Sequence, residues 1–192
     1  MDRETRSLFV IMPFGHTETR NAADLSEYFN TNLKARIEGD TSLKFRYVVE
    51  RSADAFNISQ DIIRRLHSAD VVIADLSGVI PNANVMYELG VRLALTHKPV
   101  ILVREENKKN RKIFDIAGFH TFEYSVARYR ELEEYVVGKL QAFDRGEESF
   151  SSPVLRALLS EPDLVAEMSR SRALKVCTGL NVQLGCPVPE WC

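Results

Sequence analysis

The stretch VVIADLSGVIPNANVMYELG, residues 71–90, is the most informative part of the sequence for predicting the fold. It opens as an uninterrupted apolar run, changes at Asp75 into a polar loop, and continues as a segment that we predict to be a helix with Glu88 in its first turn. An apolar run without polar alternation is typical of a strand that is buried on both faces of a sheet. Asn82 and Asn84 are residue types that form turns or cap helices, and we expect Asn84 to cap this helix.

Strands and helices alternate along the rest of the chain as well. Apolar runs predict strands, and apolar residues at three- and four-residue spacing predict helices; the strands are 7–12, 45–49, 70–75, 99–103 and 119–124, and the main helices 21–39, 58–66, 84–97 and 126–143. This order predicts an α/β fold, a doubly wound, flavodoxin-like or Rossmann-like, mostly parallel five-stranded sheet in the order 2-1-3-4-5. We expect one α/β domain over 1–146, and a C-terminal helical extension with an irregular tail over 147–192.

Composition narrows the class of protein. The 192 residues are 45% hydrophobic and 27% charged, and the net charge is −2. This balance is ordinary for a globular domain and argues against binding to duplex nucleic acid, which calls for a basic surface. The sequence has no secretory signal and no apolar run of about 18 residues, so we expect a cytoplasmic protein that does not span a membrane.

The residues that usually bind metals do not form a recognisable site. Cys177, Cys186 and Cys192 lie close to the C-terminus without a neighbouring histidine, and the four histidines are scattered. The spacing fits no zinc motif, and the phosphate- and dinucleotide-binding glycine motifs are missing. We therefore predict neither a metal nor a cofactor.

In doubly wound sheets, ligands bind beyond the carboxyl ends of the strands, where the strand order reverses. Here that point lies between strands 1 and 3, which nominates Met12–Gly15 and the segment from Asp75 to Glu88. Both acids also have a structural interpretation, because Asp75 can form a turn and Glu88 can be favoured by the helix dipole. The basic stretch 104–112 is interpreted as a solvated loop or, alternatively, as a mobile cover that attracts phosphate.

Several motifs in this order resemble the nucleoside 2-deoxyribosyltransferase-like superfamily, which includes 2′-deoxynucleoside 5′-phosphate N-hydrolases and is related to TIR-like domains. The motifs are FVIMPFG, SADVVIADLSG, PNANVMYELG, KPVILV and FDI, which together span roughly residues 8–116. The resemblance implies an enzyme of N-glycosidic bonds that uses no metal or cofactor. It does not extend to the residues after about 143.

The resemblance also implies roles for single residues. Glu88, in the sequence Tyr-Glu-Leu-Gly, matches the catalytic carboxylate, and Asp75 matches a second acid. The implied substrate-binding residues are Met12, Pro13, Phe14, Gly15, Asp61, Ser77, Gly78, Asn82 and Asn84. Asp61 is displaced by one position from the family's acid, and MPFGH stands where many relatives have a phosphate loop rich in glycine and serine.

The implied function is an N-glycosidase that cleaves the base–sugar bond of a small-molecule nucleoside or nucleotide, with Glu88 as nucleophile or as stabiliser of the oxocarbenium ion. Backbone amides of 82–85 are expected to bind a 5′-phosphate. We favour a hydrolase over a deoxyribosyltransferase, since no second base site can be identified. A TIR-like NAD hydrolase and a non-catalytic nucleotide-sensing module remain alternatives. The resemblance further implies a homo-oligomer, a dimer or higher.

Overall fold

The structure is a computed structural model that describes residues 3–51, 60–110, 119–163, 165–167 and 170. Its centre is a five-stranded sheet in the order β2-β1-β3-β4-β5, in which every neighbouring pair is parallel. The strands are β1 (Thr5–Ile11), β2 (Arg46–Arg51), β3 (Val71–Asp75), β4 (Val100–Glu105) and β5 (Thr121–Tyr124). The predicted doubly wound α/β fold and its strand order are confirmed.

The helices connect these strands and cover the sheet. α1 (Ala22–Glu27) begins after Asn21, whose side chain accepts hydrogen bonds from the first turn, and it continues as a π-helical segment (Tyr28–Ala35). The remaining helices are α2 (Arg36–Glu38), α3 (Gln60–Ser68), α4 (Ala83–Leu95), α5 (Tyr129–Arg145) and α6 (Pro153–Leu159). No helix among the described residues is both long and apolar enough to pass through a bilayer.

The sheet separates two hydrophobic cores, because successive side chains of a strand point to opposite faces. The first core joins Val10 of β1 to the π-helical segment and α5, and the second core joins Ile11 of β1 to α3 and α4. All five residues of β3 are buried, as the apolar run of the sequence predicted. Burial on both faces explains why this strand shows no polar alternation.

Three details differ from the sequence predictions. The N-cap of α4 is Asn82 and not Asn84, so Glu88 lies in the second turn of the helix rather than the first. The basic stretch 104–112 does not begin as a solvated loop, because Arg104 and Glu105 belong to β4 and are buried. The FDI motif and the cysteine-containing tail lie outside the described residues.

The chain divides into two compact units, Met1–Ser152 and Pro153–Cys192. The first unit contains the whole sheet and helices α1 to α5. The second contains α6, which has no buried residue among those described. The domain assignment made from the sequence, with its boundary at 146, stays a prediction.

A buried arginine fixes α4 to the elements beside it. Arg92 has no exposed surface, and its guanidinium donates hydrogen bonds to the carbonyl oxygens of Leu66 (2.5 Å) and Ala69 (2.9 Å) at the end of α3. It also donates to the carbonyl of Pro99, just before β4, at 3.2 Å. Burial lowers the pKa of Arg92 to about 10. One side chain thus supplies donors to carbonyl groups of two connections, and the Pro99 carbonyl also accepts a hydrogen bond from the N–H of Val72.

Arg92→Met should destabilise the protein by about 3 kcal/mol, because the carbonyl groups of Leu66 and Ala69 lose the buried donor that Arg92 supplies. Urea unfolding monitored by circular dichroism measures the change. Arg64→Met is the control, since the Arg64 side chain is 73% exposed and pairs only with Asp61 on the helix surface. That control should stay within about 0.5 kcal/mol of the wild type. Equal stability of the two variants would contradict the role given to Arg92.

Candidate functional site

The carboxyl ends of the parallel strands meet at one edge of the sheet, which we call the carboxyl edge. It is formed by the residues at and just beyond Ile11, Arg51, Asp75, Glu105 and Tyr124, the last residues of the five strands. Polar and charged side chains concentrate here although the strands themselves are apolar. The edge therefore combines a rigid framework with chemically active groups.

Asp75 is fully buried, and both of its carboxylate oxygens have partners. Oδ1 accepts hydrogen bonds from the backbone N–H of Ser77 at 2.9 Å and from the Ser77 hydroxyl. Oδ2 accepts a hydrogen bond of 2.8 Å from the Tyr124 hydroxyl and lies 3.6 Å from Nη2 of Arg20. This geometry matches the turn-forming interpretation of Asp75; its catalytic assignment stays a prediction.

Arg20 connects Asp75 to the end of β4. Its Nη2 donates a 2.8 Å hydrogen bond to the Tyr124 hydroxyl, and its Nε lies 3.2 Å from a Glu105 oxygen. Burial works against the charge of Arg20, but the Asp75 carboxylate and the surrounding tyrosines raise its pKa above the ordinary value. Burial and the charge of Asp75 raise the pKa of Tyr124 well above its ordinary value, so Tyr124 remains a donor. We call Arg20, Asp75, Ser77, Glu105 and Tyr124 the Arg20–Asp75 network.

The loop between β3 and α4 is fixed by this network and by the end of β4. The Ser77 hydroxyl accepts a 2.7 Å hydrogen bond from the Glu105 N–H, and Arg104 donates to the carbonyl of Gly78 at 2.9 Å. Gly78 has φ +118°, and a Cβ at this position would lie 3.0 Å from the carbonyl oxygen of Ile80. Only glycine adopts this conformation without strain. The path of the chain towards α4 is therefore tightly determined.

The first turn of α4 has its donors satisfied from within the chain. Asn82 is half-buried, and its side-chain oxygen accepts hydrogen bonds from the N–H groups of Asn84 (2.9 Å) and Val85 (3.4 Å). The N–H of Met86 bonds to the carbonyl of Asn82 at 3.0 Å. Asn84 itself is exposed. Two of the amides that were expected to bind a phosphate, those of Asn84 and Val85, thus already have an acceptor.

Glu88, on α4, has a carboxyl group without a partner among the described residues. It is 5% exposed and lies between Val85 and Leu89, both in the second core. Among the described residues, no side chain or backbone group forms a hydrogen bond or ion pair with it. Burial raises the pKa of Glu88 to about 7. A carboxyl group that is desolvated without compensation is typical of functional sites.

The other predicted residues divide between the core, the rim and the surface. The Met12 side chain is part of the first core, which leaves only its backbone for a ligand, and Pro13 is also buried. Phe14 is half-buried and Gly15 exposed, so both reach the rim of the carboxyl edge. The Asp61 side chain is 70% exposed and pairs with a surface arginine of its own helix. The structure thus does not bring Asp61 to the buried acids.

Sequence reasoning missed Arg20, Glu105 and Tyr124, which surround Asp75. Their positions carry a usable signal, because Arg20 is the cation of the loop after β1 and the other two end neighbouring strands. A buried carboxylate without donors is costly, and the ends of neighbouring strands are a ready source of them. The partners of a buried acid can therefore be sought at the ends of the strands beside it.

The described residues form no metal site, and the cavity that they form lies apart from this edge. No group of three or more His, Cys, Asp and Glu side chains among them is placed to hold a metal ion. A cavity of about 110 Å³ opens beside Val100–Leu102, Phe119, Tyr135 and Phe150. Since Val100 is the first residue of β4, this cavity lies towards the amino ends of the strands and not beside Asp75.

Tyr124→Phe should destabilise the protein by about 2 kcal/mol, because Asp75 loses a donor in a buried position. Tyr28→Phe is a matched control: the Tyr28 ring stacks on Tyr124 with centroids 5.8 Å apart, but its buried hydroxyl has no hydrogen bond to a described residue. That control should be neutral or stabilising. Urea unfolding compares the two variants, and equal losses would show that the network adds nothing beyond packing.

The raised pKa of Glu88 makes stability depend on pH. Because the folded protein holds the Glu88 proton up to a pKa of about 7, its stability should fall as the pH rises from the unfolded pKa near 4.5 through 7. The loss relative to Glu88→Gln should reach about 3 kcal/mol. Unfolding free energies of both proteins, measured between about pH 4 and pH 8, test this. Parallel pH profiles would mean that the Glu88 carboxyl is not desolvated.

Comparisons with known structures place the chain beside flavodoxin-like domains, at low similarity. A flavodoxin-like domain from Synechococcus sp. has 16% identity and a TM-score of 0.45, and covers 74% of this chain and 99% of its own. A diflavin flavoprotein A3 from Nostoc sp. has 14% identity and a TM-score of 0.44, with coverages of 77% and 99%. The parallel sheet itself, rather than these neighbours, establishes the fold.

The sequence gives a more specific result. No curated protein matches it significantly. The family model described as nucleoside 2-deoxyribosyltransferase matches residues 14–147, a span that runs from the loop after β1 to the end of α5 and includes Asp75, Asn82 and Glu88. Because this match covers more than half of the sequence, the chain belongs to the nucleoside 2-deoxyribosyltransferase family.

Proposed function

We propose that this protein cleaves the N-glycosidic bond of a nucleoside or nucleotide and that Glu88 is the carboxylate that meets C1′ of the sugar. The observation that carries the proposal is a desolvated carboxyl group without a protein partner among the described residues, on the helix that leaves the carboxyl edge. Family membership supports the class of reaction, a transfer or cleavage at the base–sugar bond.

In the first step, an ionised Glu88 oxygen attacks C1′ on the face opposite the base. A C1′–O bond forms and the C1′–N bond breaks, so that its electron pair leaves with the base, which takes up a proton. A carboxylate that does not bond covalently would instead stabilise the oxocarbenium-like transition state. Both versions need Glu88 in its charged form, and burial keeps that charge unscreened by water.

In the second step, an acceptor forms a new bond to C1′ while the C1′–O bond to Glu88 breaks. The electron pair of that bond returns to the carboxylate, and the acceptor loses its proton to solvent, which balances the proton taken up by the base. Water attacking C1′ gives a hydrolase, and a second base gives a transferase. We favour water, since no second base site can be identified from the chain. The Arg20–Asp75 network supports this chemistry by fixing the loop that leads to Asn82 and α4. With both oxygens engaged, Asp75 serves as a positioning residue in this proposal rather than as a proton donor.

Glu88→Gln should lower base release on the order of 10³-fold or more, because the amide can neither attack nor carry the charge. Chromatography of released bases measures this over a panel of nucleosides, nucleoside monophosphates and NAD. Glu134→Gln, an exposed change on α5, is the control and should retain full activity. For the wild type, kcat/KM should rise with pH through about 7, the pKa of Glu88.

The same panel separates the alternatives. Release of nicotinamide from NAD, with none from the other substrates, would indicate the TIR-like reaction. Nucleotide binding without release of any base would indicate a sensing module. Base release that survives Glu88→Gln would remove Glu88 from the mechanism.

A further inference from the structure

Among the described residues, three arginines lie at the carboxyl edge, and two of them are held by contacts within the protein. Arg20 is held by Asp75 and Glu105, and Arg104 donates to the carbonyl of Gly78. Arg51, the last residue of β2, is the third. Its recorded contacts are a 3.0 Å hydrogen bond from Nη2 to the Ser26 hydroxyl and two aromatic rings. No carboxylate of the described residues forms an ion pair with it.

The aromatic rings give the Arg51 guanidinium a defined position. It lies 4.9 Å from the ring centroid of Phe29 and 5.7 Å from that of Phe14. Contact with ring faces leaves the edge of a guanidinium available for hydrogen bonds. Only one of its nitrogens has a recorded hydrogen bond, the one to Ser26. A positioned cation with spare donors suits a planar or tetrahedral oxyanion.

Arg51 also lies beside the loop that was expected to contact ligand. In the sheet it is paired with Val10, and β1 then continues through Met12 to the half-buried Phe14 and the exposed Gly15. A Cβ at Gly15 would meet nothing within 4 Å, so there is open space beside this loop. Burial lowers the pKa of Arg51, and no acid among the described residues offsets this effect. A bound anion would supply the missing compensation.

We propose that Arg51, steadied by Phe14 and Phe29, binds the phosphate group of the substrate, so that the preferred substrate is a nucleoside monophosphate. The inference rests on the proposed function. It places the phosphate at Arg51 and not, as the sequence analysis expected, at the start of α4. At the start of α4, the Asn82 side chain already accepts hydrogen bonds from the amides of Asn84 and Val85, which leaves fewer donors for a phosphate there. Arg51 instead offers a charge-assisted bond to a phosphate oxygen.

The test compares each nucleoside monophosphate with its own nucleoside. For the wild type, kcat/KM of base release should favour the monophosphate by about 10- to 100-fold, the usual contribution of a charge-assisted hydrogen bond. Arg51→Met should abolish this preference by lowering the monophosphate value alone. Arg46→Met is the matched control, because Arg46 is an exposed arginine at the opposite end of the same strand. It should change neither substrate.

A binding experiment separates failure of this inference from failure of the proposed function. Calorimetry measures the affinities of a monophosphate and its nucleoside for the wild type and for Arg51→Met. If no base is released but the monophosphate binds more tightly, and only when Arg51 is present, the phosphate site stands and the glycosidase does not. If base is released equally from both compounds, or both bind equally, the phosphate site is overturned.

Circular dichroism shows whether Arg51→Met is folded. If it is not, Arg51→Lys decides the question, since lysine keeps the charge but loses the planar fork. A selective decrease for the monophosphate supports the site. An equal decrease for nucleoside and monophosphate overturns it, because it would show that Arg51 acts only on the fold.

Discussion

The carboxyl edge depends on one buried charge, the carboxylate of Asp75, and on the donors that surround it. Ser77, Tyr124 and Arg20 satisfy its oxygens, and each comes from a different part of the chain. The loop after β1, the loop after β3 and the end of β5 are thereby fixed relative to one another. Because an unpaired carboxylate in this position would cost several kcal/mol, the loops cannot move independently without losing that compensation.

Asp75 and Glu88 differ in the hydrogen-bond donors available to their carboxyl groups. Asp75 has several donors and no exposed surface, whereas Glu88 has little exposed surface and no recorded donor among the described residues. A carboxylate whose oxygens accept hydrogen bonds stabilises a conformation. A carboxylate without donors keeps a negative potential that could stabilise a positively charged sugar. The family motif identifies both positions, but only the contacts distinguish their roles.

The apolar pattern of the sequence was sufficient for the fold. The uninterrupted run of β3 and the helical spacing that follows it define one βα unit, and repeated units led to the observed strand order. Local competition was harder to predict: Asn82 and Asn84 are both good caps, and only the backbone shows that Asn82 forms the cap. The site was half predictable. Motif and topology nominate Glu88 and Asp75, whose roles stay predictions, whereas Arg20, Tyr124 and Arg51 come to notice only through contacts between residues far apart in sequence.

The separation of the two cores by the sheet has a consequence for the shape of a ligand. Arg51 follows Val49 on the face of the first core, while Glu88 belongs to a helix of the second core. A molecule that contacted both groups, as proposed above, would therefore have to span the rim of the sheet, with its anionic end on one side and its reactive carbon on the other.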